Sequence, residues 1–194
     1  MEALLKFSDI IDAIVTRVGK WASLLAIPLM IVILYDVIQR KFGGQGSIKL
    51  QELEWHLHTG LFMLCFGFAY IRDAHVRIEL IRDNLRPRTR AIVEMIGGII
   101  CVLPFCALVL YFGFDFVVRS FESGEVSAST TGLTHRWIIK STIPIGFGLL
   151  AMAGLSIFLK CFVYVFGPTN LHKRAGYYVG THHLEELGTA KIKD

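Results

Sequence analysis

Glu52, Glu54, His56 and His58 crowd ionisable chemistry into one short stretch. Carboxylates and imidazoles together are the materials of a metal site or a proton relay. Their spacing restricts both uses. On a helix Glu52 shares a face with His56, and Glu54 with His58, four residues apart in each case. His56 and His58 point about 200° apart and do not converge on one metal. The plainer reading is a helix start at a membrane interface, where the helix dipole favours carboxylates. His182, His183, Glu185 and Glu186 offer similar ligands in a polar stretch that reads as a solvated tail.

Other catalytic constellations are missing. The sequence holds no HExxH, GxSxG, Walker or GxGxxG motif, so ATP hydrolysis by this chain is excluded and an enzyme is not expected. No cofactor is expected either. A b-type haem needs two imidazoles aimed into a helix bundle, and His56, His58 and His135 all fall near span ends. A haem- or quinol-associated anchor of an electron-transfer complex is therefore the alternative reading, not the first. Cys65, Cys101, Cys106 and Cys161 sit in apolar segments without a CxxC pair and read as packing residues.

The elements that must hold these residues follow from composition. Of 194 residues 54% are hydrophobic and only 19% charged, too apolar for an ordinary soluble domain. The pattern predicts an all-α integral membrane protein of four transmembrane helices, at about 21–40, 53–71, 91–118 and 137–166. These form one membrane domain over 1–168, with a polar cytoplasmic tail over 169–194. The run at 21–38 ends in Gln39-Arg40-Lys41 rather than a small-residue cleavage site, so a retained span is expected. Pro28 lies inside the first span, with Asp36 and Arg40 placed to pair near its end. Ahead of it, Leu4, Phe7, Ile11, Ile14, Val15 and Val18 recur at helical spacing, with Lys6, Asp9, Asp12, Thr16 and Arg17 between them. That is an amphipathic helix, lying in the interface or packed on a partner. A basic linker at 72–90 carries Arg72, Arg77, Arg82, Arg86, Arg88 and Arg90 and predicts a second interfacial helix. The third span has 28 residues, more than a ~30 Å core needs at ~1.5 Å per residue, and Pro104 is its expected kink.

Topology follows from the bases. Fourteen of the 20 Lys and Arg fall in the N-terminal segment, the 72–90 linker and the C-terminal end, and six on the other side. The positive-inside bias puts both termini in the cytoplasm, and Trp21, Trp55 and Trp137 fall at span ends where indoles settle. The net charge of +4 belongs to this bias, and no nucleic-acid motif accompanies it. Asp36, Glu94, Asp115, Lys140 and Lys160 lie within about two turns of a span end, where side chains can snorkel. With no deep ionisable site and no internal repeat, the chain reads as a subunit that holds another protein.

Several segments, in order, carry a family resemblance. Asp36-Val37-Ile38-Gln39-Arg40-Lys41-Phe42 closes the first span and Gln51-Glu52-Leu53-Glu54 opens the second. Arg72-Asp73-Ala74-His75-Val76-Arg77-Ile78-Glu79-Leu80 follows it. Gly124-Glu125-Val126-Ser127, Gly132-Leu133, Trp137 and Lys140-Ser141-Thr142-Ile143-Pro144 lead into the fourth. Over about residues 8–166 the chain resembles the small permease subunit (DctQ-like) of tripartite ATP-independent periplasmic (TRAP) transporters. The resemblance implies a bacterial inner-membrane scaffold for a large permease (DctM-like) and a periplasmic substrate-binding protein (DctP-like), in sodium-driven uptake of organic acids. It marks Arg40, Glu52, Glu54, Arg72, His75, Arg77, Glu125 and Lys140 as candidate contacts to partners or membrane lipids. Among these, Arg72, His75 and Arg77 would fix the linker to lipid phosphates or to the partner. Gly97, Gly98, Gly146 and Gly148 are candidates for close helix approach.

Overall fold

The computed structural model describes residues 1–44, 46–72, 74 and 85–176. The expected linker helix, with His75 and Arg77, lies mostly outside the described residues, as does the His182–His183 tract. The described residues are mostly helical. In chain order α1 is Glu2–Ser23, α2 Ala26–Gly43, α3 Ile48–Ile71, α4 Pro87–Gly97, α5 Leu103–Glu122, α6 Trp137–Phe166 and α7 Thr169–Gly176. A π-helical turn, Gly98–Val102, joins α4 to α5. Among the described residues three stretches are long and apolar enough to cross a membrane: Glu2–Gly43, Pro87–Glu122 and Trp137–Phe166. The more polar first turns of α3, with Glu52, Glu54, His56 and His58, dilute its hydropathy.

Prolines and glycines set the breaks. Pro28 falls in the first turn of α2, so the first span does not run through it as one helix. Pro28 has no N–H for the Leu24 carbonyl, which instead accepts the Ile27 N–H at 3.1 Å, and the chain bends there. Pro87 opens α4 where a missing N–H costs nothing. Pro104 likewise has no N–H to offer the preceding turn, and the π turn sits just ahead of it. Gly44 ends α2 at φ 72, a conformation that other L-residues resist.

Helix α6 is the central post. It touches α1, α3, α4, α5, α7 and the π turn, whereas α2 packs chiefly on α3. The α3–α6 crossing is the closest. A Cβ on Gly67 would stand 2.6 Å from the Leu149 carbonyl oxygen, and one on Gly146 would stand 2.5 Å from the Met63 carbonyl oxygen. Each helix thus gives up a side chain to let the other's backbone in, the close packing that membrane helices use. Of the four glycines marked for close helix approach, Gly146 makes one within the chain. Gly97 and Gly98 have nothing within 4 Å, and Gly148 only brushes Leu110.

One face of α1 is covered within the chain. Leu5, Ser8, Ile11, Asp12, Val15, Gly19 and Ala22 face α3 and α6 of the same chain, with Gly19 pressed on Phe68. Three small cores bind the bundle: Ile11, Val15, Leu149 and Ala153; Ala91, Ile157, Cys161 and Val165; and Leu5, Val163 and Ala175. The last joins α1, α6 and α7, so the first residues of the expected polar tail form a helix seated on the bundle.

Candidate functional site

The bundle has a loop end, capped by residues 123–136, and a terminal end, where α1, α6 and α7 meet. Each carries a polar cluster built around a carboxylate.

At the loop end Glu52 is 6% exposed, one residue ahead of the apolar stretch 53–71. Its Oε2 accepts the Leu133 N–H at 2.6 Å and its Oε1 accepts the Ser127 hydroxyl, so one side chain holds both limbs of the loop. The limbs also hold each other. Ser127 donates its N–H to the Leu133 carbonyl at 3.1 Å, and the Ser129 N–H donates to Ser127 Oγ at 3.1 Å. Gly132 leaves the room, since a Cβ there would stand 2.7 Å from Glu52 Oε2. The Ser127 hydroxyl, then the Leu133 amide, lower the Glu52 pKa below the usual carboxylate value.

The same loop carries Glu125, which pairs with Lys140 on α6. The Lys140 ammonium lies 3.9 Å from the Phe116 ring centroid, a cation–π contact to α5. Lys140, first among several causes, lowers the Glu125 pKa. Asp36 and Arg40 pair at 2.6 Å, as their spacing predicts, and Asp115 pairs with Arg119. Trp137 meets Phe121 edge-on with centroids 5.3 Å apart. Glu52, Glu125 and Lys140 are therefore gathered by one loop. Glu54 is half-buried, and its Oε1 is shut from solvent without a hydrogen bond.

The histidines turn to local partners. His56 Nδ1 lies 2.6 Å from the Glu52 carbonyl oxygen, which only accepts, so that nitrogen carries the proton. His58 is exposed, and His135 Nδ1 lies 2.8 Å from Thr134 Oγ1. Among the described residues no three His, Cys, Asp or Glu side chains group as a metal site.

At the terminal end Lys160 is 1% exposed and pairs with Asp12, which is 8% exposed. Lys160 therefore does not snorkel, and Asp12 does not lie on a solvated face. The Ser156 hydroxyl donates to the other Asp12 oxygen, and Ser8 Oγ lies 2.7 Å from Ser156 Oγ. This cluster ties α1 to α6 across 148 residues of sequence. Next to it, Arg174 on α7 pairs with Asp9. Arg72 caps α3 and lies over the Phe68 ring at 5.5 Å. The sequence reading missed Ser8, Asp12, Ser156 and Lys160 as a unit. Its visible trace is the run Leu5, Ser8, Asp12, Val15, Gly19, Ala22, which keeps helical spacing with small and polar residues.

Apart from the stretch at 72–80, most of which lies outside the described residues, the segments that carry the family resemblance thus build the loop-end cluster and the helices under it. A family model described as "Tripartite ATP-independent periplasmic transporters, DctQ component" matches residues 29–163. The chain belongs to the DctQ family. It is thus a component of a TRAP transporter, a membrane protein of a transporter family rather than of an enzyme family. No curated protein matches it. The DctQ match starts inside α2 and ends near the last turn of α6. It takes in the Glu52 loop, the glycine crossing and Lys160, but not α1 with Asp12 or α7.

Proposed function

We propose that this DctQ-family chain is the static scaffold of its transporter. Four spans cross the inner membrane, α2 with the last turn of α1 and then α3, α4–α5 and α6, with both termini cytoplasmic. The terminal end then faces the cytoplasm and the loop end the periplasm. The large permease moves the solute, an organic acid driven by sodium and handed over by a periplasmic binding protein. In this reading the loop at 123–136 is the surface offered to the binding protein, and α2 and α5 offer their apolar flanks to lipid and to the large permease.

The observation that carries this reading is the closed α3–α6 crossing. Glycines bring the two backbones into contact where a carrier would need a cavity, and the ionisable clusters sit at the two ends. Met30, Leu34 and Phe42 on α2 and Tyr111 and Phe114 on α5 are all more than half exposed, as expected of flanks meant for apolar surroundings. Reconstitution tests it. Liposomes holding this chain alone should show no uptake. Adding the large permease that co-purifies in mild detergent, the binding protein and a sodium gradient should restore it. Uptake by the chain alone would overturn the scaffold role. A Soret band in the purified complex would instead favour an electron-transfer anchor.

A further inference from the structure

Where α1 bends into α2 the surface opens into a groove of about 470 Å³ lined by Arg17, Val18, Trp21, Ala22, Leu25 and Leu64. Five of the six walls are apolar, and the sixth is a guanidinium at the rim. Arg17 is exposed and makes no ion pair with a carboxylate among the described residues.

The position along the chain defines the depth. From Trp21 to Tyr35 the sequence has no Asp, Glu, Lys or Arg, and Lys20 and Arg17 come immediately before. Charge therefore stops at Lys20, and the uncharged stretch begins with Trp21, which is 71% exposed. An exposed tryptophan beside basic residues marks the level of lipid headgroups. Beyond it Leu24, Ile27 and Met30 continue the exposed apolar face. The groove thus runs from the headgroup level into the hydrocarbon, with its one cation at the shallow end.

That is the polarity of a phospholipid. We infer that the groove holds one acyl chain of an anionic glycerophospholipid from the leaflet on the N-terminal side, with its phosphate on Arg17. Val18, Ala22, Leu25 and Leu64 line the chain, and Trp21 flanks the glycerol region. The lipid fills the space between α1, the turn that leads into α2, and α3. It acts as a replaceable side chain of the fold at the point where two helices diverge. A zwitterionic lipid would fit the apolar walls, but it would bring no net negative charge to Arg17.

Tryptophan quenching by brominated lipids tests the site in the full-length chain. Replacing Trp55 and Trp137 with Phe leaves Trp21 as the only emitter. In phosphatidylcholine vesicles, chain-brominated phosphatidylglycerol should compete for the site about fivefold better than chain-brominated phosphatidylcholine, the preference that about one basic residue confers at an anionic surface. Arg17→Gln should bring that ratio close to one, while Lys20→Gln, next door but outside the groove, should keep most of it. Arg17 and Lys20 are both exposed, so neither change threatens the fold. Equal quenching by the two lipids in the parent chain would overturn the site. So would equal losses in the two variants, because they would reveal a diffuse basic surface in place of a groove with one phosphate ligand.

Discussion

The two ends of this bundle use one device in two solvents. At the terminal end the Asp12 carboxylate is sealed among Lys160, Ser156 and Ser8 and joins two helices. At the loop end the Glu52 carboxylate sits at the edge of water and joins a helix to a loop. The buried cluster gains strength from a low dielectric, but ions left there without partners are costly. The peripheral cluster risks less and can be opened. The contrast suits a scaffold that must keep its helices in register at one end and present an adjustable surface at the other.

The largest effect should come from splitting the buried pair. Lys160→Met leaves Asp12 charged and enclosed, a change that costs about 3–5 kcal/mol in buried pairs. Thermal unfolding in detergent should show the loss across the whole bundle. Asp12→Leu combined with Lys160→Met should recover most of it, because no ion is then stranded. A single variant as stable as the parent would mean that water reaches the cluster and that the two ends do not differ.

At the loop end the matching change should stay local. Gly132→Ala pushes a methyl group into Ser127 and the Glu52 carboxylate, an overpacking of about 1–3 kcal/mol. Glu52→Gln removes the charge that the Leu133 amide and the Ser127 hydroxyl address. Both variants should raise the rate of proteolytic cleavage between residues 123 and 136 while leaving the unfolding of the helices almost unchanged. A fall in global stability comparable to that of Lys160→Met would make the loop part of the core.

These two ends were not equally legible in the sequence. The Glu52 end was marked by segments resembling the DctQ family, and the Asp36–Arg40 pair by simple helical spacing. The Asp12 end was not, for a physical reason. In water an apolar stripe marks the buried face of a helix. In a bilayer the outer face is apolar as well, and small or polar residues mark the contact. Of the apolar residues that marked α1, Phe7 and Ile14 are exposed and Ile11 and Val15 are buried, while the small and polar Ser8, Asp12 and Gly19 are buried beside them. The apolar runs announced the helices for the same reason that they concealed the seams. Gly67 was not among the glycines marked for close approach, although it lies on the α3–α6 crossing. Pro104 was expected as a kink and Pro28 only as a proline inside a span, but the turn ahead of one and the π turn ahead of the other depend on which neighbours donate to the freed carbonyls.

Acid should separate the ends by a smaller margin. Glu52 and Glu125 both titrate below their ordinary value of 4.5 in the folded chain. A depressed carboxylate pKa stabilises the folded loop above pH 4.5, and that contribution fades as the pH falls through the lowered folded values. The loop should therefore loosen only below about pH 4.5. A dye on Thr130→Cys, in a Cys101→Ser background, should lose anisotropy in that window. Glu52→Gln and Glu125→Gln together should leave the loop equally mobile at every pH. A transition centred near pH 6.5 would point to a histidine instead.

The smallest effect should come from Asp115 and Arg119. This pair also lies at the loop end, one turn apart on α5, and both side chains are more than half exposed. Water and salt screen such pairs, and most contribute little. Arg119→Gln should leave thermal unfolding and loop cleavage within error of the parent. The variant matters because it removes a charge from the same end without touching the Glu52 contacts. If it loosened the loop as much as Glu52→Gln, the loop would be held by the general field of charges at the water's edge. The two ends would then differ in kind, one a specific joint and the other an electrostatic rim, and Glu52 would lose its place as the counterpart of Asp12.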